Sequence, residues 1–481
     1  KMVAAMHHRG PDDHGTYFDS NVSIGMARLA VIDLNPTGHQ PMSNPEQTIW
    51  IVYNGEVYNF QEQRKHLEKM GYRFVSTSDT EVLLRLYEQY GDNFLLRLRG
   101  MFALAIYDKR KGLGKERLLL ARDQLGIKPL LYVERDKTLV FASELKALLA
   151  SGLISREIDP VALRLLLTFG SVYQPYTILK DVKALLPAHR MILENGQKRI
   201  ERYWSLGTDR HLELKNATHE EQVKAVKETV SESLKLQLVS DVPLGAFVSG
   251  GVDSSILVAL MVQQVGDRVK TFSVGFGSEG AAYDESTDAA RTAKFLDTDH
   301  SHVLVTGKDV RACIFHIASA LDQPTVDGVN SYFISWAARQ AVTVAVSGTG
   351  GDEMFAGYPW FQAMEADASQ RRPWRTSIMS RLARQHVFDP MVAGPHGADL
   401  YRVRTQAGFL SRYSMQYHIF NSLGAARLLA PGLRAAAKAG VAEHFDLQEL
   451  DELTSAPVIE RVSALCLRGY TGNQLLRDID V

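Results

Sequence analysis

Two segments of the chain place glycines, hydroxyls and acids directly after an apolar strand pattern. The first is GAFVSGGVDSSILVAL, from Gly245 to Leu260, and the second is VAVSGTGGDEMFAGY, residues 344–358. In an open parallel sheet, ligands bind beyond the carboxyl ends of the strands, where a glycine loop leading into a helix offers backbone N–H groups and the positive end of the helix dipole. The repeated pattern therefore predicts one phosphate-binding site built from two strand ends.

The residue types of the first segment fit the phosphates of a nucleotide. Glycine lets the backbone approach a ligand closely, hydroxyls donate hydrogen bonds, and an acid can hold a Mg²⁺ ion that bridges phosphate oxygens. The segment has no GxxxxGK[ST] lysine, which argues against γ-phosphate transfer. The competing interpretation is that the glycines only connect a strand to a helix. A glycine pair alone would fit that interpretation, but the full motif S-G-G-x-D-S-S favours phosphate binding. The residues assigned to phosphate binding are Ser249, Gly250, Gly251, Asp253, Ser254 and Ser255.

The second segment adds two acids, Asp352 and Glu353, to the same type of strand end. Ser347 and Gly348 follow the strand VTVAV in the way that a serine and a glycine open the first loop. The competing interpretation is a helix N-terminus, where acids favour the helix dipole. Paired with the first loop, Asp352 instead predicts a second Mg²⁺ ligand that faces Asp253.

Composition excludes several classes of function. The chain has 481 residues, 45% of them hydrophobic, which is enough for two or three domains of ordinary size. Its 54 basic residues balance 55 acidic ones, so the charge favours neither a nucleic acid nor an anionic membrane as partner. No apolar run approaches the roughly 20 residues that span a bilayer, and two cysteines, Cys313 and Cys466, cannot build a disulfide framework. We therefore expect a cytoplasmic protein with small-molecule substrates.

Two kinds of secondary-structure pattern divide the chain. Closely spaced alternating strands with a few helices fill about the first two hundred residues and predict an α+β domain with antiparallel sheets. From about Glu220, long helical patterns separate single apolar strands, which predicts parallel βαβ units. The polar segment 207–219 is the expected linker, and from Phe361 the sequence is helical and Arg-rich. The predicted strands are 48–53, 100–107, 117–122, 129–133, 138–143, 269–276, 301–305 and 342–346, and the predicted early helices are 60–70 and 78–90, the latter with Ser78 as N-cap and Glu81 completing a capping box.

The glycine loops resemble those of the N-type ATP pyrophosphatases, which cleave ATP at the α-phosphate and form adenylates. With FSVGF (272–276) between the loops and a DES element at 284–286, the resemblance narrows to the asparagine synthetase family. It implies that Val248 and Val274 flank the adenine, whereas an ordinary strand core explains either valine equally well. It also implies that ATP binds with Mg²⁺, which neutralises the departing pyrophosphate.

The first half resembles a class II glutamine amidotransferase domain of the N-terminal-nucleophile fold. The motifs are, in order, HRGPDD (8–13), RLAVIDL (28–34), YNGEVYNF (53–60), SDTE (78–81) and ARDQLGIKPLLY (121–132). Taken alone, Asn54-Gly55 between two apolar runs is the signature of a two-residue hairpin turn. The resemblance implies instead that the side-chain amide of Asn54 and the N–H of Gly55 hold an oxyanion during amide hydrolysis.

The resemblance also implies how the two ends of glutamine are recognised. Arg28 would bind the α-carboxylate, while Glu56 and Asp79 would bind the α-ammonium group. The competing interpretations are a surface ion pair for Arg28 and a helix-start acid for Asp79.

The sequence departs from the family pattern at three places. The family nucleophile is an N-terminal cysteine, and both cysteines here lie in the second half, so we expect the cysteine strand to precede Lys1; the alternative is an inactive glutaminase. The chain stops at NQLLRDIDV (473–481), before the segment that carries a further family lysine. Thr349 occupies a position where the family usually has an acid that influences adenylate formation. The motifs therefore indicate adenylation more strongly than they indicate the acceptor acid.

Together these inferences predict a two-domain enzyme. Residues 1–206 would form an αββα sandwich of the N-terminal-nucleophile type, and residues 220–481 an α/β parallel-sheet ATP pyrophosphatase domain. The implied reaction adenylates aspartate with MgATP and then lets ammonia from glutamine displace AMP, through an apolar passage that excludes water. The alternatives are the same scaffold acting on another carboxylate, such as a β-lactam synthetase or an amidotransferase for a secondary metabolite or surface sugar, and a binding homologue without catalysis. The oligomeric state, with a homodimer as one option, is not fixed by the sequence.

Overall fold

A computed structural model of the chain describes residues 1–207, 212–277, 284–369, 409–420, 422–438 and 450–480. We call residues 1–207 the N-terminal half and the described residues from 212 onward the C-terminal half. Much of the Arg-rich region expected to be helical, residues 370–408 and 439–449, lies outside the described residues. Within the described parts of the chain, no helix combines the length and apolarity needed to cross a membrane.

The N-terminal half consists of short antiparallel strands and a few helices. Its strands are β1 (Asp13–Phe18), β2 (Ser23–Arg28), β3 (Met42–Ser43), β4 (Ile49–Val57), β5 (Gly100–Asp108), β6 (Arg117–Arg122), β7 (Leu131–Arg135), β8 (Thr138–Ala142), β9 (Lys183–Ala184), β10 (His189–Glu194) and β11 (Gln197–Arg202). Its helices are α1 (Met2–Ala5), α2 (Phe60–Lys69), α3 (Asp79–Tyr90), α4 (Leu145–Ala150) and α5 (Pro160–Phe169). One sheet has the order β11-β10-β6-β5-β4-β3, a second has the order β8-β7-β9, and β1 pairs with β2.

Alternation of side chains along the strands produces the layers of this half. On β4, Ile49, Ile51 and Tyr53 face a core cluster that includes residues of α2 and α3, while Val52 faces a second cluster shared with β7 and β8. A third cluster joins β7 and β8 to α4, where Leu145 is buried. Successive side chains of a strand point to opposite faces, so one strand can serve two layers. The order helix, sheet, sheet, helix confirms the predicted αββα sandwich.

The start of α3 agrees with the sequence in part. Ser78 is the N-cap, and its side chain accepts a hydrogen bond from the Thr80 N–H at 3.1 Å. The predicted capping box is wrong, because the Glu81 carboxylate accepts from the N–H groups of Val75 and Ser76 instead. The acid therefore fixes the loop ahead of the helix and leaves the cap to the serine alone.

The C-terminal half contains a small parallel sheet covered by helices. Its strands are β12 (Leu244–Phe247), β13 (Lys270–Gly275), β14 (Asp299–Leu304) and β15 (Val344–Val346), and its helices are α6 (His219–Gln237), α7 (Val252–Gln264), α8 (Ser286–Phe295), α9 (Gly307–Ala320), α10 (Gly328–Arg339), α11 (Gly351–Phe355), α12 (Trp360–Ser369), α13 (Phe409–Ser414), α14 (Ser422–Leu428), α15 (Pro431–Lys438), α16 (Val458–Cys466) and α17 (Leu476–Asp480). A π-helical stretch, Leu467–Leu475, joins the last two. The strand order is β14-β13-β12-β15, and every pairing is parallel, as the sequence predicts.

Candidate active site

The structure brings the two glycine loops together at one edge of the parallel sheet. β12 and β15 are neighbours, with Leu244 opposite Val344, so the loops leave adjacent strands in the same direction. A Cβ atom at Gly348 would lie 3.1 Å from the backbone nitrogen of Ser254, in the first loop. Such close contact explains why the second loop is built from glycine and places both loops in one site.

The first loop is held open by its own serines. The hydroxyl oxygen of Ser254 accepts from the Ser249 N–H at 3.0 Å, and that of Ser249 accepts from the Gly251 N–H at 3.1 Å. The Ser255 hydroxyl donates to the Gly251 carbonyl at 2.7 Å. Gly250 and Gly251 are exposed, and among the described residues no side chain caps α7 at Gly251. The first turn of a 13-residue helix therefore faces a surface suited to an anion.

The two acids of the second loop have different surroundings. Asp352 is exposed, whereas Glu353 is 1% exposed and accepts a hydrogen bond from the Tyr358 hydroxyl at 2.9 Å. At the loop tip, the hydroxyls of Ser347 and Thr349 lie 2.7 Å apart. Of this pair of acids, the site therefore presents Asp352, while Glu353 supports the loop from behind.

Asp253 and Asp352 lie near one another across the two loops. Burial raises the pKa of Asp253, and the negative charge of Asp352 raises it further. A divalent cation between the carboxylates would remove this repulsion. Among the described residues no group of three or more His, Cys, Asp or Glu side chains could hold a metal, so an ion here would need phosphate oxygens and water as further ligands. Mg²⁺ is commonly bound in that way.

The residues assigned to the adenine and to the DES element lie on the neighbouring strands. Val248 is 3% exposed in the core, and its N–H donates to the Phe272 carbonyl at 2.9 Å, while Val274 is half-buried; contact of either with a purine remains a prediction. Asp284 accepts from the N–H groups of Phe276 and Gly277 at 2.8 and 3.0 Å. Together with hydrogen bonds from Ser286, which are the larger effect, these contacts lower the pKa of Asp284 to about 2. The acid therefore fixes the end of β13 as a carboxylate.

The second cluster of functional residues lies in the N-terminal half. Arg28 is 7% exposed, and its Nη2 donates to the carbonyls of Ile32 and Asp33 at 3.0 and 2.7 Å, so the interpretation as a surface ion pair is wrong. Asp79 is buried at the start of α3 and accepts from the Tyr53 hydroxyl at 2.9 Å and the Val57 N–H at 3.1 Å. Both side chains are thus positioned by buried hydrogen bonds.

Asn54 and Gly55 lie within a strand, and the hairpin interpretation is wrong. They occupy β4 opposite Ala103 and Phe102. Gly55 has φ +155°, and a Cβ atom there would lie 2.1 Å from the Met101 carbonyl oxygen. The backbone of β5 therefore requires glycine at this position, and the Asn54 amide donates to Ser143 Oγ at 3.3 Å.

The acids of this pocket are electrostatically suited to a cation. Burial raises the pKa of Glu56 well above its usual value, and the nearby charge of Asp79 raises it further; burial also raises the pKa of Asp79. Lys128 and Arg28 oppose the effect at Glu56. A buried and a half-buried carboxyl group with raised pKa values together favour uptake of a proton or of a positively charged ligand group.

One continuous cavity of about 2140 Å³ reaches both clusters. Its walls include Arg28, Glu56 and Asp79 from the N-terminal half, and Ser347 and Thr349 from the second glycine loop. The glutamine-site residues and the tip of the second glycine loop therefore border the same partly open cavity.

Several residues at the junction of the halves were not found from the sequence. Asp480 accepts from Arg9 and from Lys128, at 2.6 Å for the lysine, and the Asp241 carboxylate accepts from the Asp33 N–H at 2.8 Å. Arg9 and Lys128 lie within quoted motifs, but pairing across hundreds of residues has no local signal.

Comparisons with known proteins agree with this architecture. Residues 1–204 match the family described as glutamine amidotransferase domain, and residues 225–479 match the family described as asparagine synthase. The fold and the sites define a glutamine amidotransferase domain joined to a parallel-sheet synthase domain. The chain belongs to the asparagine synthase family.

Individual relatives differ in how much of their length the chain matches. Asparagine synthetase [glutamine-hydrolyzing] 1 of Bacillus subtilis is 36% identical over 73% of this chain and 54% of its own length. Putative asparagine synthetase [glutamine-hydrolyzing] 2 of Methanocaldococcus jannaschii is 35% identical over 74% of this chain and 72% of its own length. A Penicillium rubens protein named amidase chyE is 33% identical over 74% of this chain and 54% of its own length. The chain thus spans about half the length of two of these relatives.

Proposed function

We propose that this protein is a glutamine-dependent asparagine synthetase. The side-chain carboxylate of aspartate attacks the α-phosphorus of ATP and releases pyrophosphate, and ammonia from glutamine then displaces AMP to give asparagine. The observation that carries the proposal is the contact between two glycine loops on adjacent parallel strands, in a chain whose other half forms a glutamine amidotransferase domain.

In the synthase half, the loops would hold the triphosphate. The N–H groups of the first turn of α7 and the serine hydroxyls of the first loop would contact the phosphates. Asp253 and Asp352 would hold Mg²⁺, which supplies positive charge to the departing pyrophosphate. Val248 and Val274 would border the adenine.

In the glutaminase half, the buried charges would select glutamine by its α-carbon groups. Arg28 would pair with the α-carboxylate, and Glu56 and Asp79 with the α-ammonium group. The raised pKa values of both acids favour this assignment, because an ammonium group beside the two carboxyl groups would stabilise their charged forms. Asn54 and Gly55 would stabilise the oxyanion of amide hydrolysis.

The shared cavity supports a passage for ammonia between the two sites. Ammonia that met bulk water would be protonated, which removes its lone pair. We also propose a cytoplasmic location and neither a nucleic-acid nor a membrane partner, and a homodimer is one option for the assembly.

A second candidate is amide formation on a carboxylate other than that of aspartate. Thr349 replaces the usual acid at the tip of the second loop and shares a hydrogen bond with Ser347. Relatives named amidase match the chain at 33% and 31% identity. These observations bear on the acceptor and leave the adenylating step unchanged.

The decisive experiment measures pyrophosphate release from the full-length protein with ATP, Mg²⁺ and a panel of carboxylic acids. Aspartate should give release well above background, and D253A should abolish release with every acid. Release with another acid alone would select the second candidate. Release retained in both D253A and D352A would contradict the metal assignment.

A further inference from the structure

Asp33 lies at a junction between the glutamine pocket and the synthase half. It is 1% exposed and has φ +59°, a conformation that non-glycine residues adopt rarely. Its carbonyl oxygen accepts from Arg28 Nη2 at 2.7 Å, and its carboxylate accepts from the Thr77 N–H at 3.0 Å. Thr77 immediately precedes Ser78 and Asp79, so Asp33 contacts the chain segments at both ends of the proposed glutamine site.

The backbone N–H of Asp33 points across the junction. It donates to Asp241 Oδ2 at 2.8 Å, and the Asp241 N–H donates in return to the Val31 carbonyl at 3.0 Å. Two reciprocal bonds fix the relative position of the segments 31–33 and 240–243, as a short β-bridge would. This contact lies beside the proposed glutamine pocket, because the charge of Asp241 also acts on Glu56.

The segment 240–243 leads directly to the strands of the ATP site. β12 begins at Leu244, and the Pro243 carbonyl accepts from the Thr343 N–H at 3.0 Å, at the entrance to β15. The turn is stiffened by a hydrogen bond of 3.0 Å from the Ser240 hydroxyl to the Val242 carbonyl. Movement of this turn therefore moves the bases of the two strands whose other ends carry the glycine loops.

We propose that the reciprocal contact of Asp33 and Asp241 couples the glutamine pocket to the ATP site, so that occupancy of one changes the affinity of the other. This inference rests on the proposed function. Asp241 acts as a positioning residue, since its carboxylate holds the backbone that holds Arg28. A ligand carboxylate on Arg28 would bind the same guanidinium whose Nη2 donates to the Ile32 and Asp33 carbonyls, so its binding would change the position of this loop. By thermodynamic linkage, the effect on the two affinities is equal and reciprocal.

The test measures coupling between two ligands that are not turned over. L-glutamate carries the α-carboxylate and α-ammonium groups of glutamine, and α,β-methylene-ATP resists cleavage at the α-phosphate. Calorimetric titration of glutamate, with and without saturating nucleotide and Mg²⁺, gives the coupling ratio, and the reverse titration checks reciprocity. We expect the wild-type ratio to differ from one by about fivefold or more.

Variants at Asp241 separate coupling from binding. D241A removes the acceptor for the Asp33 N–H, and D241S shortens the side chain by one bond so that its hydroxyl oxygen no longer reaches that N–H. Because Asp241 is exposed, both variants should fold. In both variants the coupling ratio should be about one, while the affinity for each ligand alone should stay within about twofold of the wild-type value. D241N keeps an oxygen acceptor and should retain coupling. E232Q is the matched control, since Arg99 and Glu232 form an exposed ion pair between the same halves.

Each outcome decides the inference. An unchanged ratio in D241A and D241S, or loss of the separate affinities in both, would reject the coupling role. A wild type that binds both ligands without coupling would reject the inference alone. Failure of the wild type to bind either ligand would reject the proposed function together with the coupling.

Discussion

Backbone atoms of Met101 and Phe102 leave no room for a Cβ atom at Gly55. Alanine there would place Cβ 2.1 Å from the Met101 carbonyl oxygen, a backbone atom that can move only if β5 moves. We expect G55A to lose about 1–3 kcal/mol of stability through overpacking, and to weaken glutamate binding because the strand carries Asn54 and Glu56. Urea unfolding and calorimetry measure both effects.

The control for this substitution is G266A. A Cβ atom at Gly266 meets nothing within 4 Å, and that glycine does not have a positive φ. G266A should therefore leave stability and glutamate binding unchanged. Equal behaviour of G55A and G266A would contradict the steric argument.

Cys466 provides a second test at the scale of one residue. Burial raises the pKa of its thiol to about 12, and the Tyr417 hydroxyl lies 3.5 Å from its sulfur. At pH 8 only about one thiol in 10⁴ would be a thiolate, which is the reactive form. We expect iodoacetamide to leave Cys466 unmodified in the native protein and to modify it in denaturant, as peptide mass spectrometry would show.

Cys313 serves as the internal comparison, because it is only partly buried on α9. It should be modified before Cys466 in the same native sample. Faster modification of Cys466 would mean that the packing around α16 is looser than the structure indicates.

At the scale of elements, the proposed ATP site depends on how closely α11 approaches α7. A Cβ atom at Gly351 would lie 2.4 Å from Asp253 Cγ, so G351A must displace the Asp253 carboxylate or the second loop. We expect pyrophosphate release to fall by about tenfold or more, since a misplaced Mg²⁺ ligand weakens stabilisation of the leaving group. Glutamate binding in the other half should not change.

G266A is again the control, because Gly266 follows the end of α7 in the same βαβ unit. Its pyrophosphate release should equal that of the wild type. Full activity in G351A would show that the two loops do not need the spacing observed here.

The sequence predicts elements better than it predicts their neighbours. The spacing of hydrophobic residues predicts the ends of β5 and β6 to within one residue. The same spacing distinguishes the antiparallel half of the chain from the parallel half. Periodicity does not specify that β12 lies between β13 and β15, because strand order depends on long-range packing. Asn54-Gly55 is a case in which the local pattern misleads. The dipeptide favours a hairpin turn, but pairing with β5 keeps both residues in an extended strand.

Candidate site residues were predictable where their chemistry is local. Glycine loops and buried acids have compositional signals, so Asp253 and Asp79 could be proposed from the sequence alone. Asp33 and Asp241 are 208 positions apart, and their contact arises only when the two halves dock. Contacts between the halves, such as this one, are therefore the part of the structure that needs coordinates.

At the scale of the whole molecule, the last described helix joins the two halves. α17 ends at Asp480, whose carboxylate accepts from Arg9 Nη2 and from Lys128 Nζ, and Arg9 Nη1 also donates to the Asp480 carbonyl at 2.9 Å. Asn473 adds a further bond, since its Oδ1 accepts from the Gln174 N–H at 2.7 Å. The junction thus combines these polar contacts, whose charges are well removed from water, with an apolar cluster that packs α5 against α12 and α16.

The acid–base behaviour of Asp480 makes this junction testable. Burial alone would raise the pKa of its carboxyl group, but the charges of Arg9 and Lys128 outweigh burial and lower it. A carboxyl group with a lowered pKa in the folded state stabilises the protein above its unfolded pKa of about 3.9 and loses that contribution as the pH falls through the folded value. D480N removes the charge and leaves Lys128 beside a neutral amide. We expect the free energy of unfolding at pH 7 to fall by about 3 kcal/mol, which is the low end of the range for breaking a buried ion pair. The loss is limited because Arg9 still forms its ion pair with Glu144.

Urea unfolding at several pH values measures this effect. The difference between wild type and D480N should be constant from about pH 5 to 7 and should shrink below about pH 4, because the carboxyl group of the unfolded chain takes up its proton there while the folded protein still keeps Asp480 charged. E157Q, which removes the exposed pair of Lys180 and Glu157, should unfold as the wild type does at every pH. A D480N difference that persists unchanged at low pH would mean that packing, rather than the charge on Asp480, holds the halves together.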